Sequence, residues 1–106
     1  MKITFFLFIF LFLNSVFANE KSIIVLMYHR FEDERFPSTS ISSKNFQNHI
    51  KYLKENNFNI LPISDLVLFF NKKYDIPEKS VFLTIDDGYK SFYENAYPIL
   101  KKYKLP

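Results

Sequence analysis

At 106 residues the chain is bounded to a single domain, near the lower end of the usual range of about 100 to 150 residues. Its 48% hydrophobic and 20% aromatic content, with 14 Phe, excludes a disordered tail, and the absence of Cys excludes disulfides, thiolate metal sites and a lipid-modified Cys anchor. The net charge of +3 arises from Lys and Arg scattered among Asp and Glu without a basic stripe, which argues against nucleic-acid binding.

Met1 to Ala18 combines Lys2, an apolar run from Ile3 to Leu13 and the small-residue pattern Val16-Phe17-Ala18. This predicts a secretory signal peptide cleaved between Ala18 and Asn19. The run falls short of the roughly 20 residues that span a bilayer, so retention as an anchor is the weaker alternative. The mature chain, residues 19–106, is expected to be secreted, in a periplasm or cell envelope, with no membrane span.

Ile23 to Tyr28 predicts a buried strand that ends on His29. Phe31 to Ile41, rich in charge, Pro and Ser, predicts a long surface loop at the rim of a cleft. Ser42 or Ser43 can cap a helix over Lys44 to Asn56, in which Phe46, Ile50 and Leu53 share one face. Phe58 to Leu61 predicts a short strand. Ser64 is then expected to cap a largely buried helix from Asp65 to about Asn71, carrying Leu66, Val67, Phe69 and Phe70.

Val81 to Ile85 predicts a strand buried on both faces, because its apolar residues run on without polar alternation. It delivers Asp86, Asp87 and the single glycine, Gly88, to its carboxyl end, where ligand sites form in parallel α/β architectures. Adjacent residues of an extended segment point apart, so one carboxylate can hold a metal while the other handles a proton. The plain alternative is that these aspartates cap the next helix. That helix is predicted from about Tyr89 to Tyr103, with Phe92, Ala96, Leu100 and Tyr103 on one face and a break near Tyr97 caused by Pro98. The regular alternation of strand and helix calls for another strand after Pro106, so the chain is expected to be the N-terminal part of a longer protein.

Asp86, Asp87 and His29 are the candidate site residues, each at the carboxyl end of a predicted strand. A satisfied core histidine would look the same as His29 in sequence. His49, in mid-helix, reads as a surface or half-buried packing residue.

Val25-Leu26-Met27-Tyr28-His29 followed by Leu83-Thr84-Ile85-Asp86-Asp87-Gly88-Tyr89 resembles the start of the polysaccharide deacetylase family, also called carbohydrate esterase family 4 or the NodB homology domain. The Tyr-His pair is nearest to the subgroup acting on poly-N-acetylglucosamine. The resemblance implies an α/β fold, the N-terminal part of a distorted (β/α) barrel. It also implies a metal-dependent hydrolase that removes N-acetyl groups from an amino-sugar polymer. In it Asp86 is the catalytic base, Asp87 a ligand of a divalent metal such as Zn²⁺, and His29 and Tyr89 line the site. Ile85 stands where the family more often has Phe. The family's paired metal-binding histidines and its later motifs, which normally come further along the chain, are not in this sequence and are expected beyond Pro106, so this fragment alone is expected to be inactive. Two alternatives to the enzyme remain: a non-catalytic glycan-binding or remnant domain, and another carboxylate-metal enzyme such as a phosphohydrolase.

Overall fold

The computed structural model describes residues 21–106, and the signal-peptide reading of Met1 to Ala18 lies outside them. Among the described residues no helix is long and apolar enough to cross a membrane. In chain order the elements are β1 (Ile23–Tyr28), β2 (Arg30–Phe31), β3 (Ser40–Ile41), α1 (Ser43–Glu55), β4 (Asn59–Leu61), α2 (Ile63–Phe70), β5 (Ser80–Ile85), a π-helical segment (Phe92–Ala96) and α3 (Tyr97–Lys102).

The strands β1, β5 and β4 form a parallel sheet in that order, so the last strand in sequence is the central one. Its register runs from Ile23 opposite Ser80 to Tyr28 opposite Ile85 on one side, and from Asn59 opposite Ser80 to Leu61 opposite Phe82 on the other. A central strand pairs along both edges, which is why the unbroken run Val81-Phe82-Leu83-Thr84-Ile85 is suited to it. Ser80, Val81 and Phe82 are fully buried.

Side chains alternate across each strand, so Leu26 and Tyr28 on β1 share a face with Leu83 and Ile85 on β5. The core lies on that face. Tyr28 and Phe31 meet Phe46 and Ile50 of α1 and Ala96 and Leu100 of the C-terminal helical run. Phe46 presents edge-on contacts to Tyr28 at 5.0 Å and to Phe31 at 5.2 Å, the perpendicular geometry that aromatic quadrupoles favour. Phe31 is therefore a core residue at 1% exposure rather than part of a surface loop. The loop it opens is closed by a two-residue parallel pairing of β2 with β3, which seats Phe31 opposite Ile41.

Two predicted burials fail, for one reason. Val25 and Met27, on the sheet face away from the core, are 46% and 60% exposed, so β1 is covered on one side only. Helix α2 has no fully buried residue, with Val67 and Phe70 at 55% and 69% exposure. Both stretches carry apolar residues for two contact surfaces, and among the described residues each meets one. The start of α2 also differs from expectation. The residue ahead of it is Pro62, there is no side-chain cap, and Ser64 lies inside the helix. Proline already has a φ suited to a helix entry and no N–H that needs a partner.

By contrast, Ser42 caps α1 as expected, its hydroxyl accepting from the Asn45 N–H. The face with Phe46, Ile50 and Leu53 is buried. The break caused by Pro98 takes a specific form. Tyr97 N–H bonds back to Phe92, one residue beyond the α-helical partner, and Pro98 then falls in the first turn of α3. The wider π turn relieves the clash a proline ring makes with the carbonyl four residues earlier.

Helices α1, α2 and α3 end in the same way, with Asn57, Lys72 and Lys104 in the left-handed region. In each, the next residue's N–H returns to the helix: Phe58 to Leu53, Lys73 to Leu68 and Leu105 to Leu100. Glycine is the usual residue at this position, since an L side chain there costs about 1–2 kcal/mol. This chain spends its one glycine elsewhere. Lys72→Gly, at φ 56°, is expected to stabilise the fold by about 1 kcal/mol, read as a higher melting temperature. An unchanged or lower value would mean that the lysine side chain contributes a compensating contact.

Candidate functional site

The register that pairs Tyr28 with Ile85 makes His29 and Asp86 the next opposed residues. The ladder reaches them, since Asp86 N–H donates to Tyr28 O at 2.8 Å. Alternation places both side chains on the face opposite the core helices. There His29 Nε2 stands 3.8 Å from an Asp86 carboxylate oxygen, with both side chains partly exposed. That separation is longer than a hydrogen bond, yet a small side-chain movement would close it. Two strands separated by about fifty residues of crossover thus bring an imidazole and a carboxylate together at their carboxyl edge.

Tyr28 faces the other way. Its hydroxyl bonds to His49 Nδ1 at 3.0 Å, and burial raises its pKa above the ordinary tyrosine value. His49 is an exposed residue of α1, the surface helix position expected of it, and through it Tyr28 anchors the end of β1 to α1 one residue before His29.

After Asp86 the backbone turns sharply. Asp87 and Gly88 have successive positive φ values, 67° and 58°. A Cβ on Gly88 would meet nothing within 4 Å, so the glycine serves its backbone angle and not a close approach. Aspartate is among the few residues that tolerate the left-handed region. At φ 67° Asp87 belongs to the turn and not to an extended strand, so strand alternation does not govern the placement of its carboxylate. Asp86 stays on the ladder, partly shielded, while Asp87 is exposed. Among the described residues neither Asp86 nor Asp87 accepts a hydrogen bond from the helical run that begins at Lys90, which leaves the cap explanation of the aspartates without support.

Tyr89 closes the turn. Its hydroxyl accepts from Arg30 Nη2 at 2.6 Å, and its ring lies 4.1 Å from the Arg30 guanidinium carbon. Arg30 also lies 4.0 Å from the Phe36 ring and donates to Thr39 Oγ1 at 3.0 Å. Arg30, Phe36 and Thr39 were not among the candidates. The one sequence signal was a cation directly after His29, in a loop that also carries an aromatic residue.

A divalent cation suits part of this donor set. Asp87 offers an exposed carboxylate and His29 an imidazole, both ordinary Zn²⁺ ligands. Among the described residues, however, no group of three His, Cys, Asp or Glu converges, so a complete site needs donors from outside them.

The polysaccharide deacetylase family profile matches residues 73–106. The poly-β-1,6-N-acetyl-D-glucosamine N-deacetylase of Staphylococcus aureus is 36% identical, over 82% of this chain and 34% of its own length. Among solved structures, a de-N-acetylase from Aggregatibacter actinomycetemcomitans superposes with a TM-score of 0.70 at 34% identity, covering 79% of this chain and 35% of that one. IcaB from Ammonifex degensii superposes at 0.72 with 31% identity, covering 81% and 36%. The chain thus spans about a third of the length of the curated relatives it matches. The 36% identity over most of the chain, the family profile over its C-terminal third and the α/β fold shared with these structures lead to one assignment: the chain belongs to the polysaccharide deacetylase family.

Proposed function

We propose that the protein is a secreted, metal-dependent N-deacetylase of an amino-sugar polymer, poly-N-acetylglucosamine being the substrate class, and that residues 19–106 form the N-terminal portion of its barrel. The observation that carries this reading is the approach of His29 to Asp86 at 3.8 Å on register-locked parallel strands, with Asp87 exposed in the turn that follows. The names of the Staphylococcus aureus relative and of the Aggregatibacter structure support the chemistry and, for the former, the polymer.

Asp86 is the base that removes a proton from the attacking water. In support of this role, its backbone N–H is held by Tyr28 O and one carboxylate oxygen lies 3.8 Å from His29 Nε2, so a small side-chain movement pairs the two. Asp87, exposed in the turn, would hold the cation together with donors outside the described residues. A bound divalent cation supplies a more acidic water, with a pKa near about 7, and a polarised amide carbonyl. His29 and Tyr89 line the site. Protonation of the departing amine falls to a group outside the described residues.

The natural protein is expected to release acetate from poly-N-acetylglucosamine, to lose at least about 100-fold of that rate to a chelator and to recover it with Zn²⁺. Glycan binding without acetate release or metal dependence would replace the enzyme by a glycan-binding domain. Turnover of phosphate esters instead would make it a phosphohydrolase.

A further inference from the structure

We propose that Arg30 is a positioning residue that locks the loop after β1 to the Asp86–Tyr89 turn and so fixes the base against its neighbour. The inference rests on the deacetylase reading for its kinetic consequence only; its structural basis is independent.

The guanidinium occupies a place between two loops. It contacts the rings of Phe36 and Tyr89 at 4.0 and 4.1 Å, and its two terminal nitrogens donate to Thr39 Oγ1 and to the Tyr89 hydroxyl. The Arg30 backbone N–H also bonds to Thr39 O at 3.0 Å, and the next residue's N–H, that of Phe31, to Ser91 Oγ at 3.1 Å. The bond to Tyr89 joins residues 59 apart in sequence. It comes immediately after the left-handed pair Asp87-Gly88, where the chain leaves the ladder and, among the described residues, no further strand pairing holds it.

Such a turn is costly to keep ordered, because Asp87 spends energy on its backbone angle and is exposed. A planar, doubly bonded and stacked guanidinium suits the task in a way a lysine does not. Since His29 precedes Arg30 and Asp86 lies three residues before Tyr89, the clamp brackets the 3.8 Å contact from both chains. Arg30 itself touches neither Asp86 nor Asp87, so its effect is exerted through Tyr89.

The test compares wild type, Arg30→Ala, Arg30→Lys and Tyr89→Phe in the natural protein. Hydrogen exchange of the Asp86–Tyr89 amides is expected to quicken at least about 10-fold in Arg30→Ala, with remote core amides of α1 unchanged. On the polymer, kcat is expected to fall about 100-fold with KM within about 3-fold, as for misplacement of a reacting group. Arg30→Lys, which keeps the charge without the fork, should recover only part of the loss. Tyr89→Phe, which keeps the ring, should show the same kcat loss in smaller measure. Unchanged exchange at the turn overturns the proposal. So does kcat close to wild type in a folded Arg30→Ala, or a fall in stability spread over the whole chain. If wild type releases no acetate, the deacetylase reading fails, and the exchange of the turn alone decides the role of Arg30.

Discussion

Asp86→Asn is expected to lower kcat for acetate release by about 10²–10⁴-fold, the contribution of a positioned general base, while a stoichiometric cation is still held. The substitution keeps the shape of the side chain and leaves the Asp86 N–H to Tyr28 O bond at the end of the ladder in place. What it removes is basicity. The amide cannot take a proton from water, and its contact toward His29 at 3.8 Å loses its charge. Steady-state kinetics on the polymer, paired with metal content by mass spectrometry, separate the outcomes. Turnover within about 3-fold of wild type would end the assignment of Asp86 as base. Loss of the cation together with turnover would make Asp86 a ligand instead.

The Asp86-Asp87-Gly88 turn was legible because it contrasts with what surrounds it. An apolar strand that stops at two carboxylates and the only glycine can be read locally, and so can the amphipathic spacing of Phe46, Ile50 and Leu53. The end of β1 was legible in the same way, and the parallel register then brought His29 beside Asp86. Burial was misjudged where it depends on what lies across from an apolar surface. Val25, Met27, Val67 and Phe70 have the composition of two-sided packing, and composition does not say whether the second side is supplied. Phe31 was misplaced for the opposite reason. Charged and Pro-containing neighbours made it read as loop, whereas a two-residue parallel pairing folds it into the core. The Arg30 clamp left only a faint local signal, a cation after His29 in a loop with an aromatic residue, because its partner Tyr89 comes from a second loop brought near only once β1 and β5 pair. The backbone reason for Gly88 was half legible: a turn signal announced it, but only the successive positive φ values distinguish a required angle from a required space.

Asp87 carries the second large effect, and its position dictates how it must be tested. Replacing it by Ala is expected to remove the cation, with affinity down by at least about 100-fold, the upper end of what loss of a mere supporting group costs a metal site. Turnover should fall with it. Alanine, however, is poorly suited to φ 67° and adds a backbone penalty of about 1 kcal/mol unrelated to coordination. Two companions isolate the ligand. Asp87→Gly removes the carboxylate while relieving the backbone, so it should lose the cation as completely as Ala yet melt no lower than wild type. Asp87→Asn keeps an oxygen donor and tolerates the left-handed angle, so it should bind the cation weakly, with turnover returning in part at raised Zn²⁺. Calorimetric titration with Zn²⁺ and thermal melts of all three decide the matter. If Asp87→Gly keeps both cation and turnover, Asp87 is a turn residue and nothing more. If Ala loses turnover while Gly keeps it, the loss came from the backbone, and the ligand role goes to another residue.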